Sequence, residues 1–237
     1  MEEFLSSIPA GGTLFNTAAI VAGGAVGLLV GRFIPQKAFK LVFQCMGLFC
    51  LYLGSSMANR TQDILVVMFA MLAGAIAGVS LDIDGKLTQF GDSLKRRFAA
   101  GDETGNFTKA FVTTSILYGV GPMAVIGAIE NAINNDPSTL LLKGSLDGAA
   151  SILFAASMGI GVLFSALPIL IYQGALTFAA QWLNAFITPS MMGNLSGLGG
   201  LIIMGIGLNL LEIADIKTSN LLPGIAFVLL FSAFFTA

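Results

Sequence analysis

Lys143 and Asp147 stand four residues apart in a run built mostly of leucine, glycine, serine and alanine. A helix puts both on one face, and Ser151 extends that face by another turn. Counting from Pro137 at about 1.5 Å per residue, Lys143 lies about 9 Å along the helix and Asp147 about 15 Å. Half of an apolar bilayer core is also about 15 Å, which places Asp147 near the midplane. An ionisable group there is costly to hold and faces a bundle interior or a wet cavity. One reading is a substrate- or proton-binding carboxylate with Lys143 as counter-ion. The other is a buried structural ion pair.

Tyr118-Gly119-Val120-Gly121-Pro122 is a second candidate. Pro122 removes a backbone donor and clashes with the preceding turn, and two glycines beside it favour a break. The freed amides and carbonyls of a broken helix bind ions or polar substrates; a bare kink is the alternative. Asn16, Gln44, Gln173 and Asn209 are further polar groups in apolar runs. Each is either cavity lining or an interhelical hydrogen-bonding group. Asn16 and Ser165 are the best candidates for a shared cavity. Glu130 and Glu212 fall at helix ends and are read as interfacial.

No catalytic set is recognisable. The chain has no histidine, and H-E-x-x-H, G-x-S-x-G and the P-loop are all missing. Cys45 and Cys50, five apart in one apolar run, match neither a disulfide framework nor a metal spacing. The expectation is a non-enzyme without metal or cofactor and without a nucleic-acid partner.

The elements that position these residues are long apolar helices. Of 237 residues 56% are hydrophobic and only 10% charged, whereas a soluble domain carries about 25% charged residues. The mean hydropathy is +0.88. Too little polar surface remains to coat a water-soluble globule, and a bilayer removes that need. Continuous apolar runs, without the alternation of a β-barrel, fall at about 12–31, 39–57, 63–81, 110–129, 138–158, 161–183, 190–211 and 219–236. The fold class is therefore all-α and polytopic, with about eight transmembrane helices in a single domain. Breaks carry turn and cap residues: Ile34-Pro35-Gln36-Lys37, Asn59 to Asp63, and Asp136-Pro137, with Asp136 as N-cap and Pro137 first in the helix. The junction Met158-Gly159-Ile160-Gly161 is very tight.

Positive charge orients the spans. Arg32, Lys37, Lys40, Lys86, Lys95, Arg96, Arg97, Lys109 and Lys217 fall on one side, against Arg60 and Lys143 on the other. Cytoplasmic loops are enriched in Lys and Arg, so both termini face outside, in keeping with the acidic Met1-Glu2-Glu3. No cleavable signal peptide is expected. In the long loop 83–109, Leu87, Phe90, Leu94 and Phe98 recur at helical spacing with Lys95, Arg96 and Arg97 between. That pattern reads as an amphipathic helix on the cytoplasmic lipid surface, or else as a short solvated helix.

The runs also repeat. Gly12-Thr13-Leu14-Phe15-Asn16 resembles Gly161-Val162-Leu163-Phe164-Ser165. Gly47-Leu48 and Gly54 match Gly200-Leu201 and Gly207. Thr61, Asp63, Ile64 and Leu65 match Thr218, Asn220, Leu221 and Leu222. Repeat A (about 11–82) and repeat B (about 161–236) then enter the membrane with opposite orientation, around central helices 110–158. Inverted repeats of this kind are typical of secondary transporters, with the site near the midplane. Glycines four apart (Gly23, Gly27, Gly31; Gly74, Gly78; Gly144, Gly148; Gly193, Gly197) let helix backbones approach closely, within a protomer or in a homo-oligomer.

Four stretches carry a family resemblance: Gly12 to Asn16, Phe111 to Tyr118, Leu140 to Gly148 and Gly199 to Leu211. With these the chain resembles the bacterial membrane family called domain of unknown function 554, over nearly its whole length. The resemblance implies a bacterial cytoplasmic (inner) membrane protein. It brings no assigned catalytic or binding residues and no substrate. The reading is a small secondary transporter of an unknown solute or ion, coupled through Asp147, with Lys143, Ser151, Tyr118, Gly119, Gly121, Pro122, Asn16, Ser165, Gln173 and Asn209 as site candidates. An ion or solute channel, or a non-transporting structural or regulatory membrane protein, is the alternative.

Overall fold

The computed structural model describes residues 10–31, 33, 36–98, 106–119, 122–184 and 187–235. The Met1-Glu2-Glu3 tail, Arg32, Ile34-Pro35 and Gly121 lie outside them. Among the described residues every regular element is helical: α1 (Gly11–Gly31), α2 (Gln36–Ala58), α3 (Ile64–Ser80), α4 (Ile83–Phe98), α5 (Phe107–Gly119), α6 (Pro122–Asn134), α7 (Ser138–Met158), α8 (Gly161–Phe164), α9 (Ala166–Asn184), α10 (Pro189–Leu210) and α11 (Gly224–Phe235), with a 3₁₀ turn at Thr218–Leu221.

Local chemistry sets several of these ends. The Asp63 side chain accepts from the backbone amides of Leu65 (2.9 Å) and Val66 (3.2 Å), capping α3. Thr188 caps α10 ahead of Pro189, which occupies the first turn where a missing N–H does no harm. Asp136 does accept from the Ser138 amide at 2.9 Å, but it sits one residue earlier than expected. Pro137, not Asp136, is the N-cap of α7, and α7 begins at Ser138. Gly159 ends α7 with φ +86°, a conformation that glycine adopts without a Cβ penalty. This permits the tight junction into α8.

Five to seven crossings are supported where about eight are expected. Among the described residues five segments are long and apolar enough to cross a membrane: α1, α7, α8 with α9, α10, and the 3₁₀ turn with α11. The number reaches seven if each bent pair, α3 with α4 (57°) and α5 with α6 (73°), is one span. The reason is geometric. The fourth run does not continue through Gly119 and Pro122 but splits into two helices of 13 residues each. Each is about 20 Å long, short of a ~30 Å core. Large apolar side chains lie on the outside of the protein, among them Ile76 at 70% and Phe178 at 86% exposure, a surface suited to lipid and unfavourable in water.

Two compact units make up the chain. One contains α1, the second half of α4, and α5 to α9; the other contains nearly all of α2, α3, the first half of α4, α10 and α11. In the first, α1 and α7 run parallel along a seam of small residues. Gly23, Gly27 and Gly31 abut the backbone carbonyls of Gly148, Ile152 and Ala156 in turn. A Cβ added at Gly144 would lie 2.9 Å from the Asn16 Cα, so this point of the seam requires glycine. Leu94, from the expected lipid-facing stripe of α4, packs instead on Phe107 and Phe111, while Phe90 and Phe98 remain exposed.

In the second unit α2 and α10 cross antiparallel, with Gly47 against Gly207 and Gly54 against Gly200. The α3 and α11 helices also pack antiparallel, through Gly74 against Gly224 and Gly78 against Asn220. Buried Asn194 of α10 accepts from the amides of Gln62 (3.0 Å) and Asp63 (2.8 Å) and donates to Ser232 at 3.0 Å. It thereby ties the start of α3 to α10 and α11.

Candidate functional site

The first unit holds a buried polar network. Lys143, 5% exposed, pairs with Asp147 one turn on in α7. The Asn16 carboxamide of α1 lies beside the Asp147 carboxylate. Asn16 also donates from Nδ2 to Gln173 Oε1 of α9 at 3.2 Å. Ser151, the next residue on the Asp147 face, shares a 2.9 Å hydrogen bond with the Tyr118 hydroxyl of α5. Side chains from four helices therefore converge on the middle of α7. The glycine seam makes this convergence feasible: with Gly144 against Asn16 Cα, a short carboxamide reaches the next helix.

Not every polar atom here is satisfied. Thr13 Oγ1, Asn16 Oδ1, Ser115 Oγ and Gln173 Nε2 are buried without a hydrogen-bond partner. Buried polar atoms are nearly always paired, because leaving one unmade costs about 1–3 kcal/mol. All four belong to this unit.

The expected site residues separate into groups. Lys143, Asp147, Ser151, Tyr118, Asn16 and Gln173 belong to this network. Gly119 ends α5 and Pro122 begins α6, so the break falls where the sequence puts it. Ser165 is buried at the bend between α8 and α9, and its hydroxyl donates to the Val162 carbonyl at 2.6 Å; it serves the bend rather than Asn16. Asn209 makes both of its hydrogen bonds to the backbone of Ile216, at 2.7 and 2.8 Å, closing the loop after α10. Gln44 lines a cavity of about 420 Å³ with Lys40, Leu210, Leu211 and Glu212 in the second unit. Glu130 accepts from the Thr139 hydroxyl at 2.6 Å.

Thr13, Ser115, Asn131 and Asn194 were not legible as site or scaffold residues. Asn131 accepts from the Gly12 amide at 2.9 Å, anchoring the start of α1. Thr13 stands three residues before Asn16 on the same helix face, a spacing that would have exposed it. Among the described residues no cluster of three His, Cys, Asp or Glu exists to hold a transition metal.

Comparisons with known proteins agree with this picture of a membrane chain. Residues 11–233 match the family described as protein of unknown function (DUF554). The uncharacterized membrane protein YdfK of Bacillus subtilis is 29% identical over 90% of this chain and 92% of its own. The uncharacterized protein YqgA of Escherichia coli is 29% identical over 95% of this chain and 97% of its own. No solved structure matches.

Proposed function

Starting from a chain that belongs to the DUF554 family of membrane proteins, we propose that it is a small secondary transporter of a solute or ion, coupled through Asp147. The observation that carries this reading is the Lys143–Asp147 pair, buried inside an apolar span beside Asn16, which is itself bonded to Gln173. Membrane helices hold such groups where substrates, protons or ions pass. The reading treats the chain as a carrier rather than a catalyst, in the bacterial inner membrane with both termini outside.

Helix packing supports the inverted repeat that the reading uses. Within each unit, helices of repeat A lie antiparallel against their own counterparts in repeat B. The α1 helix meets α9 through Asn16 and Gln173, and α8 through Gly24 and Leu163. The contacts between α2 and α10 are reciprocal: Gly47 touches Gly207, the counterpart of Gly54, while Gly54 touches Gly200, the counterpart of Gly47. Reciprocity of this kind is what a two-fold axis imposes on an interface, and an axis in the membrane plane reverses the two repeats.

A second reading draws on the close packing at Gly144 and Gly148: a non-transporting membrane protein whose ion pair only fixes α7 against α1. Flux decides between them. Purified chain in proteoliposomes, screened against radiolabelled ions and small solutes, should move its substrate at a rate that Asp147→Asn lowers at least about tenfold, the effect of losing a charged partner. Flux unchanged by Asp147→Asn removes the carboxylate from the mechanism.

A further inference from the structure

We infer that the cavity at one end of the α2–α10 pair binds a small zwitterion of the α-amino acid type. Lys40 holds its carboxylate, Glu212 its ammonium group, and Leu210 and Leu211 an apolar side chain. The site belongs to the second unit and uses no residue of the Asp147 network, so it stands or falls apart from the carrier reading.

The cavity, of about 420 Å³, is lined by Lys40 and Gln44 of α2 and by Leu210, Leu211 and Glu212 at the end of α10. That volume suits a small metabolite. Antiparallel packing brings the start of α2 beside the end of α10. Past Gln44, Gly47 abuts Leu211 and the Gly207 carbonyl, so the helices close again and give the cavity a floor. At the far end of the pair the chain after α2 closes onto α10. Gly193 lies against Arg60 and Gln62, Gly197 lies against Thr61, and the Ser196 hydroxyl donates to the Met57 carbonyl at 3.2 Å. The repeat register that matches Gly47 with Gly200 also matches Lys40 with Gly193 and Gln44 with Gly197. Glycine stands where the pair is closed, and a long polar side chain where it is open.

Glu212 is poorly suited to its place in the helix end. Its amide donates to the Asn209 carbonyl at 3.1 Å, and the Ile213 amide donates to the Leu208 carbonyl at 3.0 Å. This pair of bonds ends a helix through a left-handed residue, ordinarily glycine, and Glu212 takes that conformation with φ +59°. A carboxylate there also meets the negative end of the helix dipole. Both effects disfavour glutamate, so its presence answers to the cavity rather than to the helix end. The Lys40 ammonium brings the opposite charge to the same cavity, and among the described residues neither group forms an ion pair. A single ligand satisfies both only if it carries an anion and a cation itself. Gln44 offers a donor and an acceptor, and so suits either group.

Thermal unfolding of the purified full chain in detergent, with each of the standard amino acids in turn, tests this. At least one with an apolar side chain should raise the melting temperature saturably, by about 2 °C or more. Its decarboxylated amine and its deaminated acid, each with one charge, should not. Lys40→Gln should weaken the apparent affinity at least about tenfold, the effect of losing a charged partner. Glu212→Gly should abolish binding and yet raise the melting temperature of the ligand-free chain, because glycine suits the left-handed position. No shift with any amino acid, a singly charged analogue that binds as well as the zwitterion, or binding unaltered in Lys40→Gln or Glu212→Gly overturns the site. A ligand-free chain destabilised by Glu212→Gly shows a structural carboxylate and overturns it too.

Discussion

At the scale of single residues, the polar side chains divide between those that finish a helix and those that join helices deep in the apolar layer. Asp136 belongs to the first group. The Ser138 hydroxyl and amide both donate to it and hold its carboxyl below its ordinary value of 3.8. A carboxylate with a depressed folded value adds stability above that unfolded value and loses it as pH falls through the lower folded one. Asp136→Asn is therefore expected to lower the melting temperature slightly at neutral pH and to flatten the acid limb of the profile below about pH 4. An unaltered acid limb would show that Asp136 adds nothing. Asn16 and Asp147 belong to the second group, whose worth depends on what each faces across the seam.

Helices are where glycine spacing turns into contact. Gly27 and Gly31 place α1 directly on the α7 backbone at Ile152 and Ala156. In lipid such approach supplies dispersion contacts that no larger residue permits. Gly27→Leu must push α1 off α7, at a cost of about 3 kcal/mol or more, the upper range of overpacking. Gly174 has open space around it, so Gly174→Ala should leave stability within about 0.5 kcal/mol, as distant surface changes do. Melting temperatures of the purified variants check both, and equal values would deny the seam its role. The α5–α6 break belongs to this scale too, since two 13-residue helices at 73° cannot span as one straight rod.

For the whole molecule, the directions of packed helices restrict topology more than length does. Parallel α1 with α7, and antiparallel α2 with α10 and α3 with α11, are directions that any topology of this chain must satisfy. The proposed orientation, with nine Lys and Arg on the cytoplasmic side and both termini outside, is open to a direct test. An alkaline phosphatase fused at the C-terminus is expected to be active and a green fluorescent protein at the same point dark, as only the former matures across the membrane. The opposite pair of signals reverses the assigned orientation.

Composition and hydrophobic run length determined the class of this protein, because lipid imposes one rule on every span: apolar side chains outside and backbone groups bonded within the helix. The 138–158 run coincides with α7 for the same reason, and the Gly119–Pro122 break follows from the missing proline amide. Glycine spacing foretold close helix approach without naming partners. Only tertiary structure decided those partners, because a helix face says nothing of which neighbour fills it. It set Gly47 against Gly207 rather than against Gly200, turned Ser165 and Asn209 to their own backbone, and brought Asn16 to both Asp147 and Gln173. A polar atom in an apolar run must find a partner, and which one it finds depends on how helices distant in sequence are juxtaposed.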